Sequence, residues 1–372
     1  MNPEKVNFTN KDSSRPVLTG RIGPHASFEG KDYLYFAGNN YLNLAGKREL
    51  REAAIEAVDR YGTSFGAGRT TTGTAELQLE LEELLARFKG REDAMIFSSG
   101  YLGNQILLKG LVEEGDHIFY DKWAHPSLKE GIPLGDSKQR PFPHNDTESL
   151  KKLLQEVSKG IILVNGVDPC TGEIAPLDQI AELIEGRNFK VLVDDAHSTG
   201  VLGENSRGTL EHFGIKSDNF FQTETMSKAL GSFGGFIASG EETISRLREV
   251  SPTYRGSTPL PPAVVGASKA AVEILLQNPR LGEKVRRNAE KIAKGLTKLG
   301  LKVKWHGSAI IRLEEEEDFS QELSLSLKRQ DVIVPFIHYP DEDSPGRLRL
   351  TASSGHTQRD IDLLIKAFKR AI

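Results

Sequence analysis

Four short stretches of the chain are almost unbroken in apolar residues and end abruptly on polar ones. They are "AMIF" at 94–97, "IFY" at 118–120, "IILV" at 161–164 and "VLV" at 191–193. Apolar runs without alternation belong to strands covered on both faces. Helical patterns lie between them: "YLGNQILLKGLV" at 101–112, "HPSLKEGI" at 125–132 and "PLDQIAELIEG" at 176–186. Strands alternating with helices predict a mostly parallel sheet in an α/β domain.

The pattern differs on either side of this region. Before it, "ASFEGKDYLYFAG" at 26–38 reads as a hairpin. Helices follow at 47–62 and 74–90, the first stopping on Gly62, the second opening on Thr74 and stopping on Gly90. After Gly240 come helical stretches at 241–250, 261–277 and 281–300. Strands are then expected at 301–305, 308–313, 331–336 and 346–352, and a closing helix at 357–372. The acidic run at 314–318 reads as a solvated turn or a helix start. The expected organisation is an N-terminal segment (1–45), a large α/β domain (46–260), and connecting helices with a small α+β domain (261–372).

Composition narrows the class. The chain has 372 residues, 38% apolar and 27% charged, with a formal net charge of −4. That suits a globular protein with a large core. The charge implies no polybasic face, so no nucleic-acid or membrane partner is expected. One cysteine, Cys170, excludes an internal disulfide and fits a reducing compartment. The polar N-terminal stretch has no apolar signal core, and a cytoplasmic location is expected.

Ligands of open α/β sheets bind at the carboxyl ends of the strands, and three polar stretches sit at such ends. "SSGYLGN" at 98–104 opens a helix on a glycine, so Gly100 and Tyr101 offer backbone N–H groups to an anion. "VLVDDAHSTG" at 191–200 ends a buried strand on two aspartates, with His197 beyond. Charge at such a place must be paired. One of the two either caps the next element or holds a cationic ring nitrogen, and alternation allows only one to face a ligand. "TETMSKALGS" at 223–232 sets Lys228 among small and hydroxyl residues, with Thr225 and Ser227 beside it. A surface lysine is the bland alternative. A phosphate cradle, a carboxylate, a histidine and a lysine in this order are the parts needed to hold pyridoxal 5'-phosphate (PLP), with the lysine bonded to its aldehyde.

These motifs, in this order, resemble the α-oxoamine synthases of the fold-type I PLP enzymes, from "YLYFAGNNYLNL" to the last helix. The resemblance implies a large, mostly parallel, seven-stranded sheet domain with a smaller C-terminal domain. It implies a PLP-dependent acyltransferase that condenses glycine, alanine or serine with an acyl-CoA or an acyl carrier protein, loses CO2 and yields an α-aminoketone. By position, Lys228 resembles the Schiff-base lysine, Asp194 the partner of the pyridine nitrogen and His197 that of the ring hydroxyl. His125 in "WAHPSL" resembles the histidine stacked on the ring; Gly100, Tyr101 and Thr225 resemble the phosphate site. Ser257 and Thr258 in "RGSTPLPP" resemble residues that reach the neighbouring subunit's phosphate, which implies a homodimer. Asn39 and Arg349 resemble groups near the amino acid, with Arg349 on its carboxylate.

The chain departs from the family pattern at Asn165, Pro169, Asn43 and Gln78. All four are expected where the substrate or acyl donor is shaped. An aminotransferase or an aldol-cleaving enzyme is the alternative reading, and a non-catalytic partner subunit is a third, opposed by the presence of Lys228, Asp194 and His197.

Overall fold

The computed structural model describes residues 16–132, 138–338 and 344–372. The polar N-terminal stretch lies almost wholly outside them. Seven strands form the central sheet, in the spatial order Asp93–Phe97, Gly235–Ser239, Phe220–Thr225, Asn188–Asp194, Lys159–Asn165, His117–Asp121 and Lys138–Phe142. Neighbours run parallel except around Gly235–Ser239, which is antiparallel to both of its partners.

The apolar runs are central strands, and their side chains divide by the pleat. Ile161, Leu163 and Leu192 enter one core layer, with Ile106 and Leu107 of the helix Gly100–Leu111. Ile162, Val164, Val191 and Val193 enter another, with Leu150 and Leu154 of the helix Thr147–Gln155 and Ile180 of the helix Leu177–Ile184. Burying each such side chain contributes about 1.5–3 kcal/mol. The same alternation fixes the strand's end: Asp194 shares a face with Leu192, and the next residue turns to the other layer.

The edge strand Lys138–Phe142, "KQRPF", has no counterpart in the sequence expectations. Its residues are mostly exposed, and Pro141 faces Tyr120 across the ladder. An edge strand tolerates a proline because one side of it needs no donor.

The smaller C-terminal sheet is antiparallel, in the order Val303–Trp305, Ile310–Leu313, Arg347–Thr351 and Phe336–Ile337. The stretch expected as one strand at 331–336 is two. Pro335 interrupts it, and Val332–Ile333 instead runs parallel to Lys31–Tyr35 of the N-terminal hairpin. The N-terminal segment is thus bonded to the C-terminal part. Helix Arg48–Tyr61 packs on helix Pro262–Gln277, where a Cβ at Gly266 would overlap the carbonyl of Ala53. The acidic run leads into the helix Glu317–Arg329.

Candidate active site

At the carboxyl ends of the central strands lies a cavity of about 180 Å³. Its walls include Gly100, Tyr101, His125, Asp194, His197, Thr225 and Lys228. Seven of the eleven residues singled out from the sequence therefore meet in one place. Ser257, Thr258, Asn39 and Arg349 are not among its lining residues.

Lys228 sits in the connection between the antiparallel strands Phe220–Thr225 and Gly235–Ser239. That connection is closed by Met226 N donating to Gly234 O (2.9 Å) and Gly231 N to Lys228 O (3.0 Å). Gly231 has φ +64°, and a Cβ there would overlap the backbone of Ala45. The turn therefore needs glycine. Burial brings the Lys228 amine down from 10.5 to about 8; Asp194 opposes the fall and Arg349 adds to it.

The two aspartates have separate surroundings. Asp194 lines the cavity. Its Oδ2 accepts from Asn104 Nδ2 at 2.7 Å and its Oδ1 from Ala196 N at 3.2 Å. Asp195 is fully buried on the opposite face. It accepts from Thr209 N (3.0 Å), Thr209 Oγ1 (2.6 Å), Gln222 Nε2 (2.6 Å) and the Ser198 hydroxyl. Alternation alone leaves open which of them faces the cavity, and the resemblance selects Asp194; of the two, Asp194 is the one that lines it.

His197 is held by the Tyr41 hydroxyl, 2.7 Å from Nδ1. Burial, then the charges of Lys228 and Arg349, hold its pKa well below the ordinary histidine value. His125 caps the helix Pro126–Glu130, its Nδ1 accepting from Ser127 N at 3.3 Å. Burial lowers its pKa too. Its ring meets that of Tyr101 edge-on at 5.8 Å.

Ser99 caps the helix that starts at Gly100, accepting from Tyr101 N at 3.1 Å. A Cβ at Gly100 would lie 3.0 Å from Thr225 Cβ and 3.1 Å from its hydroxyl. Thr225 Oγ1 donates to Gly234 O (2.9 Å) and accepts from Ser227 N (3.1 Å). Tyr101 donates to Glu130, and burial with that contact pushes its pKa up to about 12.

Arg349 is 8% exposed and donates from Nε to Pro169 O at 2.6 Å. It stands behind the Pro169 wall, and its charge is felt at Lys228, His197 and Tyr41. Asn39 accepts from the Tyr41 hydroxyl at 3.2 Å. Ser257 donates to Thr253 O, and Thr258 O accepts from Ser98.

Of the four departures, Asn165 and Pro169 line the cavity and Asn43 and Gln78 do not. Asn43 stands at φ +53°, a conformation that favours glycine and that asparagine tolerates. Gln78 is buried in the first turn of the helix Glu76–Lys89, accepting from Ala75 N at 2.8 Å. The helix begins past the Thr74 start expected from sequence, because Thr74 instead bonds Arg69.

Sequence reasoning missed Asn104, Ser127 and Tyr41. Asn104 stands one helical turn after Gly100, on the same face, which is the one signal that points to it. Tyr41 lies far from its partner His197 along the chain, and nothing local announces the pairing.

The family model for class I and II aminotransferases matches residues 31–368. An 8-amino-7-oxononanoate synthase of Geobacter sulfurreducens is 36% identical over 362 residues, 95% of this chain and 92% of that one. Among solved structures, a serine palmitoyltransferase of Sphingomonas wittichii superposes with a TM-score of 0.91 at 27% identity, covering 97% of this chain and 92% of its own. A serine palmitoyltransferase from S. paucimobilis with a bound PLP–myriocin adduct gives a TM-score of 0.89 at 26% identity, covering 96% and 92%.

Proposed function

Because this chain belongs to the family of class I and II aminotransferases, we propose that its cavity performs an acyl transfer in which a small amino acid loses CO2. The chain is a PLP-dependent acyltransferase that joins an amino acid to an acyl thioester and releases an α-aminoketone. The observation that carries this reading is the meeting of Lys228 and Asp194 in one cavity beside a helix N-terminus.

The residues present fit PLP. Lys228 supplies an amine for the aldehyde, Asp194 a carboxylate for the ring nitrogen and His197 a partner for the ring hydroxyl. Gly100, Tyr101 and Thr225 form the phosphate cradle, which a Cβ at Gly100 would crowd. When bound, PLP supplies an electron sink for the carbanion left by the departing α-proton.

The protein's own groups supply the rest. With its proton affinity lowered to about 8, the Lys228 amine can take a proton and return it near neutral pH. Asn104 and Ala196 hold the Asp194 carboxylate in place. Arg349 and Asn39 are assigned to the amino acid, Arg349 offering a planar fork to its carboxylate. His125 polarises an oxygen of the acyl donor.

The product named for the Geobacter relative points to a substrate pair. Cutting 8-amino-7-oxononanoate between its keto and amino carbons leaves a seven-carbon acyl group ending in a carboxylate, and the fragment that alanine leaves after losing CO2. Alanine and pimeloyl thioester are therefore the first pair to test. The same reading includes a homodimer in which Ser257 and Thr258 complete the partner's phosphate site, and a cytoplasmic location. Among the described residues, no helix is long and apolar enough to cross a membrane.

The test is thiol release. Glycine, alanine or serine is offered with pimeloyl-CoA or with short, medium and long acyl-CoA. Release that depends on the amino acid supports the reading and names the pair. If no thioester, on coenzyme A or on a carrier protein, releases thiol, while amine passes to a keto acid, the protein is an aminotransferase and the reading fails.

A further inference from the structure

At the cavity wall, Asp194, Asn104, Ser127 and His125 form one continuous hydrogen-bonded chain across three elements: the strand Asn188–Asp194, the helix Gly100–Leu111, and the helix Pro126–Glu130 with its cap. Asn104, fully buried, donates from Nδ2 to Asp194 Oδ2 (2.7 Å) and to Ser127 Oγ (2.8 Å). Its Oδ1 accepts from Thr223 Oγ1 at 2.6 Å. A carboxylate can only accept, so the amide nitrogen must face Asp194, which settles the orientation of Asn104. Ser127 Oγ therefore receives a proton from Asn104. Its own proton is free for His125 Nδ1, 2.7 Å away. The Ser127 backbone N–H also points at that nitrogen. That backbone hydrogen is fixed by the peptide plane, so Nδ1 must accept it and carries no proton; the Ser127 hydroxyl is then a second donor to the same nitrogen.

We propose that Asn104 and Ser127 are positioning residues that lock His125 in the tautomer protonated at Nε2, so that it presents an N–H donor to an oxygen of the bound substrate. A neutral imidazole has one donor and one acceptor, and the bond made by one nitrogen decides which is which. With Nδ1 committed to Ser127, the ring's remaining donor belongs to a residue that lines the cavity with Lys228 and Asp194. The low proton affinity that burial gives His125 keeps the ring neutral near pH 7, so the arrangement persists there. The relay ties this donor to the carboxylate that faces the cofactor's ring. A rearrangement at either end must then be accommodated at the other. The role given to the Nε2 proton rests on the acyl-transfer reading; the tautomer itself does not.

The experiment is nitrogen NMR on the holoenzyme with ring-labelled histidine, in which His125 is assigned by the loss of its signals in His125→Gln. The expected spectrum shows His125 protonated at Nε2 and bare at Nδ1 at pH 7. In Ser127→Ala the tautomer population shifts toward Nδ1. There, kcat for thiol release falls about tenfold, the worth of one hydrogen bond, with cofactor affinity unchanged. A wild-type spectrum with the proton on Nδ1 overturns the proposal, and so does a Ser127→Ala enzyme with unchanged tautomer and kcat. Should the variant not fold, the wild-type spectrum decides alone. Absence of thiol release from the wild type would sink the acyl-transfer reading and leave the tautomer result standing.

Discussion

Asp195 touches no substrate in this reading, yet its removal should be among the more damaging single changes. It is fully buried and receives four hydrogen bonds, from Thr209 N, Thr209 Oγ1, Gln222 Nε2 and the Ser198 hydroxyl. In Asp195→Ala the two hydroxyls can turn elsewhere, and Ser198 already lies 3.1 Å from the Asp195 carbonyl. The Thr209 N–H is fixed by its backbone, and the buried Gln222 amide loses its acceptor. Each buried donor left unpaired costs about 1–3 kcal/mol, so the pair costs about 4 kcal/mol. Relief from burying an anion trims the net loss to about 3 kcal/mol. The carboxylate is also boxed in by glycine. A Cβ at Gly166 would overlap Asp195 Oδ1 and stand 3.0 Å from Thr209 Cγ2 and 3.1 Å from Val193 Cγ1. Gly166→Ala alone should cost about 1–3 kcal/mol by overpacking. In the double variant the main clash is gone, so the two losses should fall short of their sum by about 1–2 kcal/mol. Guanidinium unfolding followed by tryptophan fluorescence and circular dichroism measures all three. An Asp195→Ala protein within about 1 kcal/mol of wild type, a value below the cost of two unpaired donors, refutes the account. So does strict additivity in the double variant.

Three further outcomes are expected. The Lys228 amine, brought from 10.5 to about 8, holds fewer protons folded than unfolded between those values. Stability of the cofactor-free protein should therefore rise with pH from about 8 toward 10.5, and its penalty is fully present below about 8. Urea midpoints across that window should show a slope that Lys228→Met removes. Asp194→Ala should weaken PLP binding on the order of 100-fold, the scale for removing one partner of a buried charged contact, read by absorbance titration; unchanged affinity would remove Asp194 from the cofactor site. Gly100→Ala places a methyl 3.0 Å from Thr225 Cβ. It should raise the PLP dissociation constant about tenfold and cost about 1–3 kcal/mol of folding stability, since the Thr225 Cβ is held by the strand backbone and cannot swing aside.

What the sequence displayed and what it concealed follow from where each residue's energy comes from. Strands such as Lys159–Asn165 are legible because both faces are buried and the apolar run is continuous. The edge strand Lys138–Phe142 is concealed because its exposed residues are chosen by water as much as by the ladder. The helix Thr147–Gln155 is concealed for a related reason: only Leu150 and Leu154 are buried along it. The expected strand at 331–336 was half legible, since Pro335 marks the break but not that Val332–Ile333 pairs with a hairpin from the other end of the chain. At the site, the residues that end strands or open helices stand out by their order: Gly100, Asp194, His197 and Lys228. Their supports do not. Tyr41 reaches His197, and Asn104 reaches Asp194, only once the chain is folded.

The adjacent aspartates and Asn165 show how charge is rationed around the cavity. The pleat sends Asp194 toward the cavity and Asp195 into a shell of neutral donors, so that one carboxylate is left for chemistry and the other braces the turn carrying His197. Asn165 ends the neighbouring strand, opposite Asp194 in the ladder. At this departure from the family pattern, the amide accepts from His125 N at 2.9 Å and donates to Trp123 O at 2.9 Å. A carboxylate could accept the first bond but has no proton for the second, so it would loosen the segment that presents His125. It would also set another negative charge on the cavity wall. The amine of Lys228 is held at about 8 by burial and Arg349 against the pull of Asp194; a further anion would add to that pull and make the amine a worse proton acceptor near neutral pH. The departure at Asn165 thus braces His125 and spares Lys228 at once, and it leaves the seven residues assembled around the cavity undisturbed.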